Sequence, residues 1–211
     1  MYGKEPKIIT EMENSVNEMF FYQYMPIKFP GVPTITPNSV EKRLHPFVHL
    51  MALSCCDFVG TYGLDRFVDS YVYITAKRLF VSPDYNMNRE GWHSDGFMTD
   101  DINYIWSDSV PTVFNFSEFD LSQDDKLSIK EMEEQAEPGK DFTYPNKTLL
   151  RLDQFVIHKC GELKKGGVRT FCKLSISKDK YDLEGNTHNY LLDYNWPMRK
   201  RGEERNIPQN V

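Results

Sequence analysis

Residues 168–177 read VRTFCKLSIS. Thr170, Cys172, Leu174 and Ile176 alternate with Arg169, Phe171, Lys173 and Ser175, a period of two that marks a strand with two unlike faces. The first set is expected to pack against other elements. The second, mixed polar and aromatic, suits a barrel interior that lines a polar pocket. Working outward, residues 70–81 (SYVYITAKRLFV) are β-branched and aromatic, as strands are. Residues 101–116 (DINYIWSDSVPTVFNF) read as two short strands around a turn near 107–111. Residues 151–158 (RLDQFVIH) read as a strand followed by the turn GELKKGG, and 187–196 (THNYLLDYNW) as one more. This pattern predicts a mainly β protein, a jelly roll or related β-sandwich.

The N-terminal third carries different signals. Pro26, Pro30, Pro33 and Pro37 recur about four apart, which neither a long helix nor a central strand tolerates; residues 1–38 are expected to form an extended arm. From 39 to 60, Val40, Leu44, Phe47, Val48, Met51, Cys55 and Val59 recur at helical spacing, with Ser39 as N-cap and Gly60 as stop. This predicts a supporting helix. The expected organisation is a single domain over 1–211: arm, helix, a jelly-roll core over 70–177 with an acidic insert at 117–147, and a loose charged tail at 198–211.

A net charge of −6 in 211 residues argues against a general nucleic-acid binder, which would want a basic face. Cys55, Cys56, Cys160 and Cys172 show neither a C-x-x-C pair nor a disulfide framework, which predicts a reducing, cytoplasmic compartment. The N-terminus lacks the apolar stretch of a signal peptide, and the longest apolar run, within 46–60, is too short and polar to span a bilayer.

The chemistry centres on GWHSDGF, residues 91–97. Alone, this reads as a polar turn. However, His93 and Asp95 at i and i+2 share a face of a strand, and two histidines plus one carboxylate form the open facial site of non-haem Fe(II) oxygenases. A second histidine is then required. His45 and His49 flank Pro46 without a carboxylate partner and read as core or surface residues. His158 and His188 are each followed eleven residues later by an arginine, Arg169 and Arg199. The strand context favours His158, because His158 and Arg169 can be cross-strand neighbours across a turn.

This pattern, His93-x-Asp95 and then His158-x10-Arg169, resembles the Fe(II)/2-oxoglutarate-dependent dioxygenase superfamily over about half the chain, and the stretch is also similar to uncharacterised virus-encoded members. The resemblance implies a double-stranded β-helix (jelly roll), Fe(II) on His93, Asp95 and His158, and 2-oxoglutarate held by Arg169 and decarboxylated to succinate. It also implies O₂ and an unidentified substrate as partners. Many members carry Ser or Thr two residues after the arginine, where this chain has Phe171; Tyr73 is the expected replacement contact to the co-substrate, and Lys173 the next cation on the same strand face. A cupin-like metalloenzyme without 2-oxoglutarate, or a non-catalytic jelly-roll module, are the alternatives.

Two other features have plainer readings. Trp92, Tyr104 and Trp106 include ordinary core rings. FDLSQDDKLSIKE at 119–131 resembles a calcium loop, with Asp120, Asp124, Leu127, Ser128 and Glu131 at positions 1, 5, 8, 9 and 12. Asp125, however, stands where the loop needs glycine. A solvated insert that folds over the site as a mobile lid is expected instead.

Overall fold

The structure is a computed structural model, and it describes residues 1–83 and 89–201. Nine strands are described: β1 (Lys7–Glu11), β2 (Phe20–Lys28), β3 (Tyr71–Val81), β4 (Ile102–Ser107), β5 (Val113–Asn115), β6 (Asp141–Thr143), β7 (Thr148–Leu152), β8 (His158–Lys159) and β9 (Gly167–Ser177). Three α-helices join them: α1 (Val48–Tyr62), α2 (Leu64–Val68) and α3 (Asp125–Gln135). Six strands form one sheet in the order β1-β7-β4-β9-β3-β2, and three form a second in the order β6-β5-β8. The pairings within both sheets are antiparallel. The protein is therefore mainly antiparallel β with few helices.

β9 is central in the large sheet, flanked by β3 and β4. Its alternation separates two cores. Cys172, Leu174 and Ile176, with Val72, Ile74 and Ala76 of β3 and Tyr104 and Trp106 of β4, face the helical layer. There they meet Leu44, Phe47, Leu50, Phe58 and Phe67. The opposite face carries Ile105 of β4 and Leu150 and Leu152 of β7 against Phe114 of β5, with Phe171 packed alongside. The two sheets therefore pack face to face. Tyr104 and Trp106 are helix-side core rings, whereas Trp92 belongs to a third cluster with Phe97, Phe119, Met132 and Ile157.

Several elements differ from the expectation. The N-terminal segment is not an arm: it supplies β1 and β2, the two edges of the large sheet. Pro26 is compatible with β2 because an edge strand can leave one side of its backbone unpaired. The helix starts later than Ser39. Pro46 sits inside a 3₁₀ segment (Lys42–Phe47), and α1 begins at Val48, ending at Tyr62 with Gly63 at φ 90° as C-cap. Gly60 lies inside the helix. Ser39 Oγ donates to the Thr36 carbonyl rather than capping α1.

The strand expected over 151–158 is broken. Asp153 Oδ1 accepts from Phe155 N at 2.9 Å, and Val156 N bonds the Asp153 carbonyl at 3.2 Å. This turn carries the chain from β7 in the large sheet to β8 in the small one. Residues 187–196 form no strand. They are pinned by buried Asn189, whose amide donates to the Pro26 and Ser39 carbonyls at 2.8 and 2.9 Å.

The insert is part of the fold. β6 pairs with β5, Met132 of α3 is buried, and Asn115 Nδ2 donates to the Glu137 carbonyl and to Asp141 Oδ1. Its calcium-like acids have structural duties: Asp124 caps α3 through Lys126 N and Leu127 N, and Glu131 accepts from Ser122 N and Oγ. The tail is tied as far as residue 201. Arg199 N bonds the Asp182 carbonyl at 2.8 Å, Glu184 N bonds the Arg199 carbonyl at 2.9 Å, and Arg199 pairs with the Asp182 carboxylate. The rest of the expected tail, 202–211, lies outside the described residues. No described helix is long and apolar enough to cross a membrane.

Candidate metal centre

One backbone bridge builds the triad. His93 N donates to the His158 carbonyl at 3.0 Å and His158 N to the His93 carbonyl at 2.9 Å. Directly opposed antiparallel residues put their side chains on one face, and the turn that follows brings the Asp95 carboxylate beside them. Ligand atoms of His93, Asp95 and His158 all lie within 4.8 Å of one another, the one such cluster of three among the described residues. The two rings are 4.5 Å apart by centroid.

The flanking glycines have local reasons. Both Gly91 and Gly96 have φ 75°, the left-handed region that favours glycine. A Cβ on Gly96 would stand 2.8 Å from Asp101 Cβ and from Thr99 Oγ1. Between them, Ser94 Oγ donates to the Gln154 carbonyl, and Trp92 N donates to Glu133 Oε2 of α3.

The tautomers follow from the contacts. His93 Nδ1 lies 3.0 Å from the Gly91 carbonyl, and His158 Nδ1 lies 3.2 Å from the Val156 carbonyl. A carbonyl only accepts, so each Nδ1 carries its proton and each Nε2 presents a lone pair. This is the outer-contact pattern that orients metal-binding histidines. Burial, then the neighbouring His158 ring, pushes the His93 pKa down to about 3. Burial lowers His158 as well, against the pull of Asp95. Burial alone would raise Asp95, but the Lys173 ammonium and then the two imidazoles hold it below the usual carboxylate range. The donor set is therefore two neutral imidazoles and a carboxylate, as a hard to borderline divalent cation requires. The residues fit such an ion.

Lys173 faces this triad from the large sheet. Its Nζ donates to Asp95 Oδ2 at 2.9 Å and to the Tyr24 hydroxyl at 3.1 Å, and lies 4.9 Å from the Tyr24 ring centroid. Burial opposes the ammonium, yet Asp95 and Tyr24 raise its pKa above the ordinary lysine value. Tyr24 has φ 45° and sits in an irregularity of β2, where register slips between Tyr22 and Met25. Bulges re-aim side chains, and this one supplies a ring that no motif in the sequence marked.

His93 and Asp95 of the triad, with Lys173 and Tyr24, line a cavity of about 710 Å³, and Phe97, Asp101, Asn103 and Tyr181 belong to the same wall. Part of α3 lines it too, including Lys126, Ser128 and Met132. The insert is thus a packed wall rather than a solvated flap.

Three expected placements are corrected. Arg169 is not a cross-strand neighbour of His158: it pairs with Leu79 of β3, while His158 pairs with Phe114 in the other sheet. Its guanidinium is buried, with Nε donating to the Ser109 carbonyl at 3.0 Å and Nη2 to the Val110 carbonyl at 3.1 Å, and it does not line the cavity. Val110 has φ 52°, unusual for a β-branched residue, and Arg169 fastens that turn. Tyr73 does not reach the cavity either. Its hydroxyl donates to the Asp179 carbonyl and accepts from Tyr181 N, and its ring stacks on Tyr181 at 4.2 Å. The rival His188 is exposed between Tyr190 and Tyr194, and Arg199 serves Asp182. His45 and His49 are exposed.

No family model matches this chain, and no curated protein does. Solved structures do. EvdO2 from Micromonospora carbonacea var. aurantiaca is similar at 15% identity and TM-score 0.38, over 63% of this chain and 64% of EvdO2. The same protein complexed with 2-oxoglutarate is similar at 13% identity and TM-score 0.38, over 71% of each chain. A bsmA homolog from Methylobium petroleophilum PM1 is similar at 15% identity and TM-score 0.38, over 71% of this chain and 55% of that one. The chain thus spans less than two thirds of the length of the first and third of these.

Proposed function

We propose that this chain is an Fe(II)- and 2-oxoglutarate-dependent oxygenase, with its two sheets as the halves of an irregular double-stranded β-helix. The observation that carries this reading is the opposed histidine pair plus Asp95, each imidazole fixed by a carbonyl at Nδ1 so that Nε2 faces a common point. Fe(II) held there by His93, Asp95 and His158 would supply the redox chemistry by which O₂ oxidises 2-oxoglutarate to succinate and CO₂ and gives its other oxygen atom to the oxidation of a substrate C–H bond.

The chain's own groups do the rest. His93, Asp95 and His158 would fill three positions of the ion, which leaves others for co-substrate and O₂. Lys173 and the Tyr24 hydroxyl are the cation and donor beside that open side, so they take a co-substrate carboxylate in place of Arg169. Ile105, Phe114 and Phe171 back the site with apolar packing that strengthens charge contacts.

The test is an anaerobic titration of the Fe(II)-loaded protein with 2-oxoglutarate, following the metal-to-ligand absorption band. A saturable band in the wild type that His158→Ala removes supports the reading. Stoichiometric Fe(II) with no band sinks it. That result would favour a second reading, a cupin-like metalloenzyme that uses no 2-oxo acid. One observation already speaks for this second reading: the arginine expected to anchor the co-substrate is spent on the 109–110 turn.

A further inference from the structure

The charge of the cavity opposes the charge of the chain. Overall, Asp and Glu outnumber Lys and Arg by 31 to 25. In the cavity wall, Lys and Arg outnumber Asp seven to four. Some of these groups are already engaged: Asp95 with Lys173, Asp101 with the Tyr181 hydroxyl at 2.6 Å, and Arg199 with Asp182, and the rest of the wall's charges are five cations against two carboxylates. A divalent ion in the triad would add to the imbalance.

The positive charge is also built in. Arg199, Lys200 and Arg201 could have been a solvated tail. Instead, the parallel bridge between Leu183 and Arg199 and the two backbone bonds to Asp182 and Glu184 fold this strip back onto the cavity. Arg199 is fixed by a two-nitrogen fork on Asp182 Oδ1, at 3.0 and 2.6 Å. Arg201 donates to the Glu184 carbonyl and to Asn186 Oδ1. From other elements, Lys126 in the first turn of α3 and Lys180 after β9 line the same space. Holding like charges together is unfavourable unless an anion is to be collected. The same wall carries the rings of Phe97, Tyr24 and Tyr181, which suit the uncharged body of a ligand.

We infer that the substrate is a small phosphomonoester, with its phosphate on the Lys126, Lys180, Lys200 and Arg201 group and its carbon body toward His93. This assignment rests on the oxygenase reading, and it adds the substrate class. A dianionic phosphate has three acceptor oxygens and so suits several cations from separate elements. A volume of about 710 Å³ is the size of a small-ligand pocket. A net charge of −6 weighs against a polynucleotide.

The test is calorimetric titration of the full chain, with and without Mn(II), using ribose 5-phosphate, ribose, inorganic phosphate and a short single-stranded oligonucleotide. Ribose 5-phosphate should bind about tenfold or more tighter than ribose, the worth of one charge-assisted hydrogen bond, and inorganic phosphate should compete with it. Lys126→Ala and the double variant Lys200→Ala/Arg201→Ala should each lose about that factor for ribose 5-phosphate, with Mn(II) affinity unchanged. Equal binding of ribose and ribose 5-phosphate, no loss in either variant, or tighter binding of the oligonucleotide would overturn the assignment. Phosphate selectivity without Mn(II) binding would leave the anion site standing and remove the metal reading. Mn(II) binding without selectivity would do the reverse.

Discussion

Replacing Lys173 by Met separates the charge at the heart of the site from its packing. Methionine keeps most of the apolar stem and removes the ammonium. In the metal-free protein this leaves Asp95 with no cation on Oδ2, where Lys173 now stands at 2.9 Å. Breaking a buried ion pair from one side costs about 3–5 kcal/mol. The Asp95 side chain is 20% exposed, against 9% for Lys173, so water screens part of the loss and about 3 kcal/mol is the appropriate end of that range. At roughly 2–4 °C per kcal/mol for a chain of this size, Lys173→Met should melt about 6–12 °C below wild type in chelator. A divalent cation supplies Asp95 with the missing charge. The rise in melting temperature on adding Mn(II) should therefore be larger in the variant than in wild type. Differential scanning calorimetry of both proteins, with chelator and with Mn(II), gives the four values needed. Equal melting temperatures in chelator would refute the ion pair as a structural element. Equal Mn(II) shifts would refute the idea that lysine and metal answer the same carboxylate. The variant should also lose most of the 2-oxoglutarate absorption band, which tests the anchoring role separately.

Arg169→Ala should lower stability by about 3 kcal/mol, since two carbonyls of a left-handed turn lose a charged donor; urea unfolding measures this, and the 2-oxoglutarate band should survive. Loss of the band with stability intact would return Arg169 to the site. Gly96→Ala forces a Cβ within 2.8 Å of Asp101 at φ 75°, so it should weaken Mn(II) binding in a titration by misplacing Asp95, and unchanged affinity would contradict the strain. The histidines set a pH window. His93 titrates near 3 in the fold against an ordinary 6.5, so between those values the unfolded chain holds more protons and metal-free stability should fall as pH drops through the window. His93→Gln should flatten that slope, as measured by denaturant unfolding at several pH values; an equal slope would place the titration elsewhere.

What was legible in the sequence divides along a physical line. Periodicity reports the face of a strand, and both faces of 168–177 are where alternation places them, one against the helices and one between the sheets. The triad was legible for the same reason: His93 and Asp95 need a period of two, and His158 needs a neighbouring strand. Spacing, in contrast, does not report which sheet a residue joins. The ten residues between His158 and Arg169 resemble a family pattern, but the turn begun by Asp153 had already moved the chain to the small sheet. Arg169 therefore meets the carbonyls of Val110's turn, not the cavity. Its neighbour Lys173, two pleats along the same face, meets Asp95 instead. Tyr24 was invisible because its direction depends on a bulge, and the cationic strip at 199–201 because it is folded back by Asp182, distant enough in sequence to leave no periodic trace. Local chemistry was thus readable wherever two residues on one strand decided it. It was lost wherever one irregular residue, a bulge or a left-handed turn, chose between partners far apart in the chain. The cations of this part of the fold follow that rule: the arginine in register with the motif fastens a turn, and the lysine two pleats further in pairs with Asp95.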